Sequence, residues 1–179
     1  TVGEDLTLDS LSDDKFGDIT TNSGLVSNST CKTGETITVG SPYTCTFDGL
    51  VTSALMSLAD FKAVVGPSSP PAILYFHENQ VSYPLSPGES QDFHYGFIDI
   101  TSALSARRVL FNSQTHRQTF FRDLPGFLRR LPDYRPNWVI EKIAEKSEGQ
   151  YPGCRFPKGR PPGRSFDAPP LIIWNHRWE

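Results

Sequence analysis

The chain has 179 residues, so it can hold one domain or two small ones. Hydrophobic residues make up 37% of it and aromatic residues 12%, enough for a packed core, and no apolar run approaches the length of a transmembrane helix. Residues 1–52 carry eight acidic and two basic residues, a net charge of −6, whereas residues 53–179 carry twelve acidic and fifteen basic residues, a net charge of +3. This asymmetry predicts two segments of different character.

The first 46 residues are predicted to be all-β. Residues 6–11, 36–39 and 43–47 alternate apolar and polar side chains, and turn-forming residues separate them. Cys31 and Cys45 flank a turn at residues 40–42 that can bring two strands together. Two interpretations stay open for this pair: a disulfide in an oxidising compartment, or two free thiols in a cytosolic one.

From residue 47 the pattern changes to alternating strands and helices. Strands are predicted at residues 47–53, 73–76, 108–111, near 150 and at 171–174, and helices at 57–65, 93–106, from 113 onward and at 137–146. Ser113 is a predicted N-cap, and Pro125 is predicted to split the helical stretch that follows it. Phe97, Ile100 and Leu104 are predicted to share a buried helical face. Residues 152–170, with six prolines and three glycines, are predicted to be a linker.

Three predicted strands end in polar side chains. His77, Asn112 and Asn175 each follow a short apolar run. Because the carboxyl ends of parallel strands meet at one edge, where open α/β sheets bind ligands, we expect these residues to line one crevice. His77 alone would be explained by an ordinary polar turn. With Glu78 beside it, a functional site and a polar turn are equally well supported.

Several classes of catalytic site are excluded by absent motifs. The sequence has no dinucleotide-binding or phosphate-binding glycine loop, no zinc-protease helix motif and no nucleophile-elbow motif. Its four histidines and three cysteines lack the close pairing of a zinc site.

Residues 1–46 resemble the small β-sandwich repeats of bacterial surface and adhesin-like proteins. The residues that carry this resemblance are Leu8-Asp-Ser-Leu-Ser-Asp-Asp14, Phe16-Gly-Asp18, Cys31, Val39-Gly40 and Tyr43-Thr-Cys-Thr-Phe47. Such repeats are structural, and 46 residues are few for a complete sandwich. The resemblance therefore implies a partial module without catalytic residues.

A second series of motifs is long, in order, and covers about three quarters of the chain. It comprises Tyr75-Phe-His-Glu-Asn-Gln80, Tyr83-Pro84, Tyr95-Gly-Phe97, Thr101-Ser-Ala-Leu104, Val109-Leu-Phe-Asn-Ser113, His116, Leu131-Pro-Asp133, Lys146-Ser147, Pro152-Gly153 and Trp174-Asn-His-Arg-Trp-Glu179. On these motifs, residues 47–179 resemble the amino-terminal half of the tRNA-queuosine α-mannosyltransferase family, retaining glycosyltransferases of the two-Rossmann (GT-B) type.

The resemblance implies transfer of mannose from GDP-mannose to the cyclopentenediol of queuosine in a tRNA anticodon. The implied partners are a sugar nucleotide and tRNA, without a membrane, and the implied location is the cytoplasm, although the β segment alone would suggest the cell surface. The resemblance implies no metal and no cofactor besides the donor substrate. His77 and Glu78 are the implied catalytic residues. The implied substrate-binding residues are Asn79, Gln80, Tyr83, Asn112, Ser113 and His116, and Arg177 is placed to bind the donor diphosphate.

The expected fold class is α/β: a partial Rossmann-like parallel sheet of the GT-B amino-terminal type, with a short all-β amino-terminal segment. The expected domains are a partial β module at 1–46, an incomplete Rossmann-like domain at 47–151, a linker at 152–170 and the start of a donor-binding domain at 171–179. Because the family's opening strand is displaced by the β segment and most of the donor domain is missing, the chain alone is expected to be inactive. Two alternatives stay open: a surface protein whose β module is the working part, and a glycosyltransferase with another donor or acceptor.

Overall fold

The computed structural model describes residues 4–22 and 24–153. Its amino-terminal segment contains four two-residue strands: β1 (Leu6–Thr7), β2 (Ser12–Asp13), β3 (Gly17–Asp18) and β4 (Thr36–Ile37). β1 pairs antiparallel with β4, and β2 pairs antiparallel with β3. The predicted linker from residue 154 onward and the strand predicted at residues 171–174, with Asn175 and Arg177, lie outside the described residues.

Cys31 and Cys45 form a disulfide, which selects one of the two interpretations left open by the sequence. Cys31 is buried with Ile19 and Val26 in a small cluster of its own. The strand predicted at residues 43–47 does not form. The Thr46 N–H is bound by the side-chain oxygen of Thr30 at 2.8 Å rather than by a backbone carbonyl, so no regular ladder develops there.

The rest of the described chain alternates between strands and helices. In chain order these are β5 (Leu50–Ser53), α1 (Leu58–Val65), a 3-10 turn (Gly66–Ser68), β6 (Ala72–Phe76), α2 (Phe93–Ser105), β7 (Arg108–Phe111), α3 (Gln114–Leu128), α4 (Trp138–Ala144) and β8 (Ser147–Gly149). The four strands form one sheet in the order β5-β6-β7-β8, and every neighbouring pair is parallel. The predicted α/β class is confirmed.

All four helices contribute to one core against one face of the sheet. Leu74, Phe76 and Phe111 enter this core, and the rings of Phe76 and Phe111 stack with their centroids 5.0 Å apart. Further fully buried members are Leu58, Ile100, Phe120, Leu124, Leu128 and Ile143. Full burial of one such side chain stabilises a fold by about 1.5–3 kcal/mol, so this layer fixes the sheet and the ends of its strands.

The amino-terminal segment lies against the other face of the sheet. Because strand side chains alternate between faces, Ile73, Arg108 and Leu110 point away from the helices. Arg108 donates to the carbonyl of Lys15 at 2.6 Å and also forms a salt bridge with Glu148. Ile73 and Leu110 are nonetheless buried, so the two central strands are covered on both faces.

Two details of the predicted helices are wrong. Pro125 lies inside α3 instead of splitting it, because it falls in the last turn, where its missing N–H removes one bond while Phe127 and Leu128 stay buried. Phe97 is 43% exposed, and Gly96 takes the buried place on the face of α2 that contacts α3. No helix of the described residues is long and apolar enough to cross a membrane.

Two helical glycines provide a matched test of this packing. A Cβ on Gly96 would lie 2.5 Å from a ring carbon of the buried Phe127, whereas the nearest atom to a Cβ on Gly126 is the flexible guanidinium of Arg129 at 3.7 Å. We expect Gly96→Ala to destabilise the fold by about 1–3 kcal/mol through overpacking. We expect Gly126→Ala to stabilise it by about 0.5–1 kcal/mol, since alanine loses less backbone entropy. Urea unfolding measures both; a Gly96→Ala variant as stable as Gly126→Ala would contradict this packing.

Candidate functional site

The carboxyl ends of β6 and β7 come together, as their polar residues predicted. The backbone N–H of Asn112 donates to the Phe76 carbonyl at 3.1 Å, and the Asn112 side-chain amide donates to the His77 carbonyl at 2.7 Å. Ser113 caps α3 as predicted: its hydroxyl accepts the N–H of His116 at 3.1 Å. The start of α3 and the turn after β6 are thereby held side by side.

Two asparagine amides fix the protonation of the His116 ring. The Asn79 Oδ1 accepts the backbone N–H of Ser82 at 2.8 Å, so the Asn79 Nδ2 must be the atom 2.6 Å from His116 Nε2. The Asn112 Nδ2 is bound to the His77 carbonyl, so the Asn112 Oδ1 faces His116 Nδ1 at 2.9 Å. Nε2 therefore accepts and Nδ1 carries the proton, which is the neutral Nδ1–H tautomer.

Burial favours the same neutral form of His116. It lowers the pKa of His116 below its ordinary value, and the negative charge of Glu78 only partly opposes this shift. Asn79 is 3% exposed and uses both amide hydrogens, one toward His116 and one toward the Ser82 hydroxyl at 2.9 Å. Asn79, Asn112 and His116 thus form a closed polar frame, which holds the strand ends in place; their predicted role in binding substrate stays a prediction.

His77 and Glu78 are exposed beside this frame. The His77 ring makes an edge contact with Tyr75, with centroids 4.6 Å apart, and within the described residues its ring nitrogens and the Glu78 carboxylate make no hydrogen bond. These two polar groups are available to a ligand. The catalytic role predicted for His77 and Glu78 stays a prediction.

His77 stands between two cavities. The first, of about 340 Å³, is the site cavity, bounded by residues 77–79, 82–84, 112–113 and three residues of α3. The second, of about 550 Å³, lies against the sheet face opposite the helices and includes Tyr75, Leu110 and Tyr151 in its wall. Lys15 of the amino-terminal segment also lines this second cavity, so that segment contributes to the surroundings of His77.

Asp99 supports the turn from beneath, and sequence reasoning missed it. It is 2% exposed on α2, and its Oδ2 accepts the backbone N–H of Gln80 at 2.7 Å. Burial raises the pKa of Asp99 to about 7; the Gln80 hydrogen bond opposes the rise, and the charge of Glu78 adds to it. Asp99 follows Gly96 by three residues and precedes Ala103 by four, so all three share the buried face of α2. A carboxylate at that spacing is the sequence signal for Asp99.

Gln91 is a second residue that sequence reasoning missed. Its side-chain amide donates to the carbonyls of Gln80 at 3.0 Å and Val81 at 2.7 Å. The predicted substrate residue Gln80 is thus held through its backbone, while Tyr83, 40% exposed, lies at the mouth of the site cavity. No local sequence pattern marks Gln91, because it lies in an irregular loop and its partners are backbone atoms.

Comparison with known proteins gives one family and a curated relative. The family model described as tRNA-queuosine alpha-mannosyltransferase N-terminal matches residues 8–154, a stretch that includes most of the segment expected to be a separate β module. The chain is 37% identical over 116 residues to the tRNA-queuosine alpha-mannosyltransferase of Drosophila melanogaster. That alignment covers 60% of this chain and 31% of the fly protein, so the chain spans about a third of its relative's length. No solved structure matches the chain.

The raised pKa of Asp99 predicts a pH-dependent stability. Between about pH 4 and 7 the folded chain keeps a proton on Asp99 that the unfolded chain has released. The unfolding free energy therefore falls as pH rises through this interval and then levels off, by an amount on the order of 4 kcal/mol for this group. Asp99→Asn keeps an acceptor for the Gln80 N–H and should remove this component.

The measurement is the unfolding free energy of wild type minus that of Asp99→Asn, at several pH values from 4 to 8. Groups common to both proteins, such as His116, cancel in this difference. Asp133→Asn, an exposed aspartate in a loop, is the control. A difference that stays constant across the range would show that Asp99 ionises normally.

Proposed function

The chain belongs to the tRNA-queuosine alpha-mannosyltransferase family, and we propose that it forms the acceptor-side part of a glycosyltransferase that moves mannose from GDP-mannose to queuosine in tRNA. The observation that carries this proposal is the exposed His77 imidazole at the carboxyl edge of a parallel sheet, between two cavities and without a hydrogen bond to the other described residues. That edge is where open α/β sheets bind ligands. The proposed site of action is the cytoplasm, where tRNA is available.

In this proposal His77 orients the acceptor hydroxyl. A ring nitrogen of His77 accepts a hydrogen bond from one hydroxyl of the cyclopentenediol and directs its oxygen at the anomeric carbon of the donor. The new bond forms between that oxygen and the anomeric carbon, while the bond from this carbon to the diphosphate oxygen breaks. The hydroxyl proton leaves with the departing diphosphate, so GDP is released and charge is conserved.

The residues around His77 divide between ligand contact and support. Glu78 is exposed beside His77, and its carboxylate can accept a second hydroxyl of the acceptor or of the donor sugar. Ser113 donates to Asn112 and accepts from His116, which leaves one lone pair for a ligand hydroxyl. Arg177 is proposed to bind the donor diphosphate, since its fork of N–H groups fits phosphate oxygens.

One observation favours the surface-protein alternative, and others oppose it. The Cys31–Cys45 disulfide is typical of an oxidising compartment. However, the amino-terminal segment packs on the sheet rather than standing apart: Lys15 binds Arg108, and Gln150 donates to Asp14 at 3.0 Å. The family match also continues through residues 8–46. We therefore favour the transferase.

The test is a transfer assay with a full-length family member, labelled GDP-mannose and tRNA that carries queuosine. Alanine at the histidine corresponding to His77 should lower kcat/KM by about a hundredfold, the loss expected when a reacting hydroxyl is no longer oriented, without a change in unfolding midpoint. His94→Ala is the matched control, because His94 is exposed and lines neither cavity. Unmodified tRNA should accept no sugar. Normal turnover in the His77 variant would remove the catalytic assignment.

A further inference from the structure

An open groove of about 890 Å³ runs along the carboxyl-terminal half of α3 and is lined by three arginines. Its walls are formed by the loop at residues 81–85, by Gln91, and by several residues between Thr119 and Arg130, in α3 and the turn after it. We call it the arginine groove after Arg122, Arg129 and Arg130. Asp123 is the acidic residue in its lining.

Two of the three groove arginines have no carboxylate partner among the described residues. Arg122 pairs with Asp123 through two contacts of 2.8 and 2.9 Å. Arg129 is exposed, and within the described residues no carboxylate forms a salt bridge with Arg129 or Arg130. Exposed cations left unpaired in a concave wall attract anionic ligands.

Arg130 is held in a fixed position. Its Nη1 donates to the Gln91 Oε1 at 2.7 Å, and its guanidinium lies over the Phe93 ring, 5.5 Å from the centroid. Gln91 is itself bound to the carbonyls of Gln80 and Val81. The turn that carries His77 and the arginine groove are therefore joined through one side chain, and the remaining N–H groups of Arg130 are preorganised for an anion.

The arginine groove is continuous with the site cavity. Ser82, Tyr83, Pro84 and Thr119 line both. Tyr83, 40% exposed, stands at the junction, where an unstacked base can pack on its ring. A ligand can therefore lie in the groove and reach His77 at the same time.

We propose that the arginine groove binds the phosphate backbone of the RNA strand that carries the acceptor nucleoside. The identity of the strand as RNA rests on the proposed function; the anionic character of the ligand rests on the groove. The groove continues into the site cavity, so it suits an extended strand better than one compact diphosphate. Arg129 and Arg130 hold phosphates, and Tyr83 stacks a base next to the reacting one.

The experiment measures binding of an unmodified tRNA transcript to the purified 179-residue chain by fluorescence anisotropy at 100 mM salt and below. Arg129→Ala should weaken binding roughly fivefold and Arg129→Ala/Arg130→Ala roughly 25-fold, and each lost contact should reduce the salt slope by about 0.7. Arg129→Lys should retain most of the affinity, because a phosphate contact needs charge. Arg129 is exposed, and its side chain makes no hydrogen bond or salt bridge among the described residues, so the single variant separates binding from stability.

Matched controls remove the same charge elsewhere. Arg107 is exposed at the amino edge of the sheet, Lys32 is exposed in the amino-terminal segment, and neither lines the groove. Arg107→Ala and Arg107→Ala/Lys32→Ala should bind the transcript nearly as wild type does. The affinity for GDP, titrated separately, should not depend on Arg129 or Arg130.

Four binding results would overturn the proposal: no binding of the transcript by wild type at low salt, no loss in the double groove variant, an equal loss in the controls, or a GDP affinity that falls in the groove variants while RNA binding stays intact. The transfer assay tests the proposed reaction separately from the groove. Intact groove-dependent RNA binding without sugar transfer removes the proposed reaction and keeps the groove, whereas transfer that the groove variants leave unchanged removes the groove and keeps the reaction.

Discussion

Burial of the two central strands on both faces is the constraint on which the structure depends. In β6 and β7, Leu74, Phe76 and Phe111 face the helices while Ile73 and Leu110 face the opposite side, and all five are essentially inaccessible. The buried positions of these strands exclude polar side chains, which follow at the point where the strands end. The helices cover one face, and the amino-terminal segment, through Lys15 and its neighbours, covers the other. The polar edge left between these two covers is the candidate site.

The site separates side chains that hold the structure from side chains that remain available. Asn79, Asn112 and His116 satisfy one another, and a partly buried frame of this kind is stabilising only because each donor has its acceptor. His77 and Glu78, adjacent in sequence to this frame, have no such partners among the described residues. A ligand that binds them therefore breaks no internal hydrogen bond. This division makes His77 the better candidate for chemistry, although both histidines follow the same polar pattern in the sequence.

The parts of the fold set by local pattern were predictable. The short apolar runs predicted β6 and β7, and Ser113 predicted the start of α3. The shared edge of parallel strands predicted that His77 and Asn112 lie close together. The family match supports the resemblance found in the motifs.

What depends on distant contacts was not predictable. Pro125 stays inside α3 because buried residues follow it, and residues 43–47 form no strand because a threonine side chain competes for their backbone. Asp99 and Gln91 support the site through backbone atoms of residues 80 and 81, and such contacts leave no periodic trace in the sequence. The substrate roles of Asn79 and His116 stay predictions, because their hydrogen-bonding groups are already used within the frame.

The most direct measurement for the central claim is ¹⁵N NMR of the histidine rings, with and without an anticodon stem-loop that carries queuosine. His77→Ala and His116→Gln assign the two rings. The account predicts that His116 is neutral, with its proton on Nδ1, at pH 7 and keeps this form in the complex, while the ring nitrogens of His77 shift on binding. A His116 ring that changes tautomer or gains a proton, beside a His77 ring that does not respond, would contradict the assignment of frame and ligand-binding group.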